Sequence, residues 1–312
     1  MSVGNKIMRD YVKNCRVTVL LLFLIFTLSP CFGVNKKGTE NNASTIRIGA
    51  SCVGRYFWFT DDCKVIEARI LQNNEHPHFW EAVKHCLKNN IHVIVTIDTY
   101  LTGSRWNPGD DELTSFTDKL MKDLVSCGAN KNNCTISYDN EPEEHIKDQP
   151  VEKYVHRLKL IHDRLNGKFD LIAGNVCSDL GFLDYVCQHG RFEILGVHFQ
   201  SGAETPERIE YYGNKYEQLA KRYNKRITCT EANWFDVSTS NGYKMLLRQL
   251  NKAEQIGCED FCVVVINQTF GYEHSKEDRY VWLAFLTNGV PRSPYWSDFV
   301  SVINEKSPKK KR

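Results

Sequence analysis

Short β-branched and aromatic runs alternate with amphipathic stretches along most of this chain. The runs are Ile46–Ala50, Ile66–Leu71, His92–Asp98, Thr135–Asp139, Phe169–Ala173, Ile194–Phe199, Ile227–Thr230 and Phe261–Ile266. They are largely apolar throughout, as strands of a parallel sheet buried on both faces should be. Between them, apolar residues recur at helical spacing. Asp111 to Cys127 sets Leu113, Phe116, Leu120 and Leu124 on one stripe. Val151 to Leu165 repeats this with Val151, Val155, Leu158 and Ile161 to Leu165. Further helices are predicted over His78–Asn89, with Pro77 at the first turn, and over Leu180–Gln188, Pro206–Tyr223 and Asn241–Ile256. Eight strands with one-sided helices between them predict an α/β fold, a single (β/α)8 barrel. The first connection is irregular. Ser51 to Val65 leaves little room for a full helix and carries the aromatic run Tyr56-Phe57-Trp58-Phe59.

The ends have a different composition. Lys6, Arg9, Lys13 and Arg16 precede an apolar run from Val17 to Leu28, closed by Ser29-Pro30-Cys31-Phe32-Gly33. That is the make-up of a secretory signal, and the run falls short of the roughly 20 residues a bilayer span needs. The expected organisation is a cleaved signal or an uncleaved signal-anchor over residues 1–33 and a flexible leader over 34–45. The barrel is expected over 46–305 and a basic solvated tail over 306–312. These features imply a secreted or cell-surface protein, held to a membrane only if the N-terminal segment stays uncleaved.

Cysteine usage fits that compartment. Apart from Cys15 and Cys31, ten of the 12 cysteines remain. The close pairs Cys127/Cys134, Cys52/Cys63 and Cys177/Cys187 are candidates for loop-closing disulfides, and at least one is expected. The alternative is buried thiols. Asn42, Asn133 and Asn267 begin N-glycosylation triplets.

A net charge of +2 gives no general case for binding nucleic acid or an anionic surface. No glycine-rich phosphate loop, Ser-His-Asp pattern or nucleotide fingerprint occurs. His76-Pro77-His78 lacks partners at metal-ligand spacing. The expectation is therefore a monomer with no cofactor, no metal and no nucleic-acid partner.

The chemistry lies in two glutamates. Glu141, in Asn140-Glu141-Pro142, follows the fourth strand, and Glu231 follows the seventh. In a parallel barrel the working face is built at the C-terminal ends of the strands. Strands four and seven face each other across its mouth, so the carboxyls are expected to approach the roughly 5–5.5 Å separation of retaining glycosidases. On these residues the chain resembles clan A of the glycoside hydrolases, the retaining (β/α)8-barrel families that include many cellulases, mannanases and xylosidases. The resemblance implies a hydrolase that cleaves a β-linked oligo- or polysaccharide by double displacement. By it, Glu141 is the acid/base, Asn140 binds the 2-hydroxyl of the sugar and Glu231 is the nucleophile. Arg69 matches an arginine that such enzymes hold near the nucleophile, and His198 a histidine after the sixth strand. Glu141 must then have a higher pKa than Glu231, which Arg69 helps keep ionised.

Each assignment has a plainer alternative. Arg69 also suits a structural ion pair, and His198 a buried, hydrogen-bonded ring. The chain departs from the clan pattern at Phe199, where many members place a tyrosine against the nucleophile. It departs again at Ile266-Asn267-Gln268, where a sugar-stacking tryptophan is usual. Trp234 and Trp106 are candidates for stacking on sugar, Trp282 could also replace the missing ring, and Trp58 suits core packing better. A non-catalytic carbohydrate-binding barrel descended from a glycosidase is the rival reading.

Overall fold

The computed structural model describes residues 45–52, 59–70, 79–99, 106–145, 149–200, 204–233, 235–268 and 283–307. The expectations for the N-terminal signal, the leader up to Ser44, Tyr56-Phe57-Trp58, His76-Pro77-His78, Trp234, Trp282 and the residues after Ser307 lie outside them.

Eight strands follow one another: β1 (Arg47–Cys52), β2 (Val65–Ile70), β3 (His92–Ile97), β4 (Cys134–Tyr138), β5 (Leu171–Val176), β6 (Ile194–Phe199), β7 (Arg226–Ala232) and β8 (Cys258–Val263). Each pairs in parallel with the next, and β8 returns to β1 with Arg47 opposite Asp260, closing the barrel. Parallel neighbours need crossovers, and helices supply them. These are α1 (Phe79–Lys88), α2 (Asp110–Ser126), α3 (Val151–Leu165), α4 (Leu180–His189), α5 (Pro206–Tyr223) and α6 (Ser240–Gln255). Helix starts are fixed locally. Thr205 and Thr239 accept N–H bonds from Arg208 and Gly242, and Pro206 fills the first turn of α5. A last helix, α7 (Trp296–Lys306), was not predicted; Ile46 N–H bonds back to its Lys306 carbonyl at 3.2 Å. A small sheet of β9 (Asn267–Gln268), β10 (Leu286–Thr287) and β11 (Val290–Pro291) follows β8. No helix among the described residues is long and apolar enough to cross a membrane.

Side chains on a strand alternate between faces. Val65, Ile94, Ile172, Ile194 and Cys262 come from five different strands and form one apolar cluster inside the barrel. Two positions further along β2 and β6, the same inward face carries Glu67 and Gly196, and two further still it carries Arg69 and His198. The interior therefore turns polar towards the C-terminal end, and charge is buried where the strands end.

Two expected strands are displaced. Phe169–Ala173 is paired instead over Leu171–Val176, and Phe261–Ile266 over Cys258–Val263. Beyond β8 the run stays apolar because Val264 and Val265 are buried with Leu283 and Ala284, so apolarity there reports burial rather than sheet. The expected disulfide pairs are also corrected. Cys63, Cys127, Cys134, Cys177 and Cys187 are all free thiols. Neighbours in sequence fall in different layers. Cys127 ends α2 whereas Cys134 starts β4, and Cys177 follows β5 whereas Cys187 lies on α4.

His92, the first residue of β3, is buried and bonded through Nε2 to Thr135 Oγ1 at 2.9 Å. Burial lowers its pKa from the ordinary 6.5 to about 4; Asp260 opposes the shift and Arg47 adds to it. A folded-state pKa below the unfolded one means that the unfolded chain takes up the proton first. The stabilisation is complete above pH 6.5 and is lost as the pH falls towards 4. Urea titrations across that window should show the wild-type protein losing about 3 kcal/mol more than a His92→Gln variant. Parallel pH profiles would contradict it.

Candidate active site

Glu141 and Glu231 reach the mouth by different local devices. Asp139 and Glu141 have φ of 59° and 48°, both in the left-handed region that costs a non-glycine residue energy. Glu141 is held there by its N–H bond to the Asn175 carbonyl at 3.1 Å, and its carbonyl accepts the Glu144 N–H at 3.0 Å. Pro142 opens the 3-10 turn Pro142–His145, which carries the chain away. Asp139 itself turns back to accept bonds from Thr99 and Gln149.

Glu231 is aimed by a bulge. Between β6 and β7, Val197 pairs with Cys229 but His198 pairs with Glu231, so Thr230 is the extra residue. A bulge bends the strand and re-aims the side chains beyond it. A matching irregularity in β5 leaves Asn175 between the paired Gly174 and Val176, with φ 53°. The Asn175 amide donates to Ser137 Oγ and the Asp139 carbonyl, and accepts from Thr230 Oγ1. One buried amide thus ties the ends of β4, β5 and β7. Gly196 makes room for it: a Cβ there would sit 2.0 Å from Asn175 Oδ1.

The charges form a chain. Arg69 Nη2 contacts Glu231 Oε1 directly, and Arg69 Nε donates to both oxygens of Glu67 at 3.2 and 3.3 Å. Ser51 Oγ donates to Glu67 Oε2 at 2.8 Å, and Gln200 Nε2 donates to Glu231 Oε2. Arg69 thus forms a buried ion pair with Glu67 and lies beside Glu231. Opposite, Glu141 Oε1 receives the Cys177 thiol at 3.1 Å and lies 3.5 Å from His198 Nδ1. Tyr216, from α5, fixes this side by donating to the carbonyls of Cys177 and His198.

Burial raises the pKa of Glu141, but His198, Cys177 and Arg69 outweigh it and bring it to about 2. That holds Glu141 as a carboxylate at neutral pH in the substrate-free barrel. Two residues on, burial pushes Glu143 up to about 8. Its Oε1 accepts the Cys177 N–H at 3.0 Å, and its Oε2 has no partner among the described residues.

Glu141, Glu231, Arg69 and His198 are thus drawn together. Asn140 is half-buried beside Glu141, its N–H held by Asp139 Oδ1 at 3.3 Å. Trp106 is anchored to α2: its indole donates to Glu112 at 3.1 Å and its ring meets Phe116 edge-on, centroids 4.9 Å apart. Phe199, noted for the missing tyrosine, points outward and packs on Tyr216. The contact to Glu231 comes from the next residue, Gln200. Gln200, Glu143, Glu67 and Asn175 were not legible in the sequence, and Cys177 stood out there only as a disulfide candidate. Only Glu67 carried a signal, as an acidic residue two positions before Arg69 in an apolar strand.

No protein-family profile matches the chain. No curated protein matches it. Solved structures do. One is an exo-β-1,4-mannosidase from Opitutaceae bacterium strain TAV5, at TM-score 0.62 and 9% identity over 86% of this chain. The alignment spans 62% of that longer enzyme. A second is a hyperthermostable endo-1,4-β-D-mannanase from Thermotoga petrophila RKU-1, at TM-score 0.60 and 9% identity over 83% of this chain and 99% of the other. A third is a GH26 β-mannanase from Bacteroides ovatus, at TM-score 0.58 and 12% identity over 84% and 89%. At these identities the likeness lies in the fold, and the chain shares the closed eight-stranded parallel barrel of these glycosidases.

Proposed function

We propose that this protein is a retaining glycoside hydrolase that acts on β-linked oligo- or polysaccharides outside the cytoplasm. The observation that carries the reading is the pair of glutamates at the C-terminal ends of β4 and β7, with Arg69 paired to Glu231. The barrel shared with an exo-β-1,4-mannosidase and two β-mannanases supports it. So does the signal-like N-terminus, which suits a secreted or surface-held enzyme. In this mechanism Glu231 attacks the anomeric carbon while Glu141 gives its proton to the leaving oxygen; Glu141 then takes a proton from water as the glycosyl-enzyme is hydrolysed. Asn140 stands beside Glu141 to bind the sugar 2-hydroxyl, and Trp106 and Trp234 are the rings proposed to line the cleft.

A panel of manno-, cello-, galacto- and xylo-oligosaccharides, followed by NMR of the first-formed anomer, tests the reaction type. Retention of configuration is the expected outcome, and inversion would contradict double displacement. The ionised Glu141 of the free barrel favours a second reading, a carbohydrate-binding barrel without turnover. That reading predicts saturable sugar binding with no product.

A further inference from the structure

The ring of His198 is wholly buried, yet neither nitrogen makes a hydrogen bond to oxygen of ordinary length. Nε2 has no partner among the described residues, and Nδ1 lies 3.5 Å from Glu141 Oε1 and 3.7 Å from Cys177 Sγ. Ordinary N–H···O bonds span about 2.7–3.2 Å. The third side of the triangle, Sγ to Oε1, is 3.1 Å. One carboxylate oxygen, one thiol sulfur and one imidazole nitrogen therefore converge, with all three atoms within 4.8 Å of one another.

A hydrogen-bonded triad accounts for the two sides at sulfur and leaves the nitrogen-to-oxygen side too long. A metal held between them accounts for that nitrogen-to-oxygen side. With Zn–S near 2.3 Å and Zn–N and Zn–O near 2.0–2.1 Å, tetrahedral ligands stand roughly 3.3–3.6 Å apart. The nitrogen-to-oxygen side of 3.5 Å lies in that range, and the sides of 3.1 and 3.7 Å fall just outside its two ends. The donor set of thiolate, imidazole and carboxylate is borderline-soft and suits zinc over calcium or magnesium. Bound zinc deprotonates a thiol outright. Two anionic ligands then balance the dication, so the filled site is neutral overall in a buried position. The fourth position is left for water, as in sites with three protein ligands.

We propose that Glu141, Cys177 and His198 form a Zn2+ site, and that zinc bound there blocks hydrolysis by taking up the Glu141 carboxylate. On binding, the Cys177 proton passes to solvent and a Zn–S bond forms. The inhibitory half rests on the function proposed above; the binding half does not.

The test uses the whole protein, stripped of metal. Titration with Zn2+ in a calorimeter should give one site per chain, with a Kd at or below the micromolar range. Co2+, added as an optical probe, should produce a thiolate-to-cobalt charge-transfer band. That band needs no variant to be read. Cys177→Ser should abolish it and weaken Zn2+ binding at least about 100-fold, whereas Cys127→Ser, at the end of α2, should leave both unchanged. Absence of saturable binding, or a band that survives in Cys177→Ser, would overturn the site. In hydrolysis assays turnover should fall in proportion to zinc occupancy and return with chelator. Full turnover at saturating zinc would overturn the inhibition. A protein with no turnover at any zinc level also overturns the inhibition, while the optical band decides the site by itself.

Discussion

Replacing Glu231 with glutamine is expected to lower kcat by roughly 10⁴-fold or more on any glycoside that the wild-type protein cleaves. The amide is nearly isosteric with the carboxylate but does not attack the anomeric carbon, so no glycosyl-enzyme forms. The fold should persist. Arg69 retains its two bonds to Glu67, and the bulge that aims residue 231 is set by the pairing of β6 with β7. Circular dichroism and turnover, measured on the same preparation, separate the two effects. A folded variant that keeps more than a tenth of wild-type turnover would remove Glu231 from the chemistry.

Arg69→Met should act on stability instead. The guanidinium lies inside the barrel between Glu67 and Glu231, each largely shielded from water. Burial works against its charge, and Glu67, Asp98 and Glu141 outweigh that penalty. Removing the cation leaves two buried carboxylates with their compensating charge gone, a loss of about 3–5 kcal/mol. For a domain of this size that corresponds to a fall in Tm of roughly 10 °C. Adding Glu67→Gln to the Arg69→Met protein should recover part of the loss, because it removes one of the stranded charges. A Tm unchanged by Arg69→Met, or a double variant less stable than the single, would show that the network does not carry this energy.

The barrel was legible because parallel strands buried on both faces must be apolar, which a sequence displays directly. Counting those runs gave Glu141 and Glu231 their positions after the fourth and seventh. The surroundings of the two glutamates were not legible in the same way. Gln200 reaches Glu231 only because of the irregular pairing at His198, so the residue expected to matter, Phe199, faces outward into α5. Cys177 reads in sequence as half of a disulfide with Cys187, yet its sulfur sits on Glu141. The low proton affinity of Glu141 was not legible for the same reason: His198 and Cys177 come from other strand ends, and no spacing along the chain announces them. Nor does any metal-ligand motif join Glu141, Cys177 and His198. Bulges and strand ends create these contacts, and they depend on pairing register rather than composition.

The most direct measurement is covalent labelling with cyclophellitol-type probes of several sugar configurations, then peptide mass spectrometry. A retaining mechanism with Glu231 as nucleophile predicts a single adduct on Glu231, lost in Glu231→Gln. An adduct on another carboxylate, or equal labelling of the Glu231→Gln protein, would contradict it.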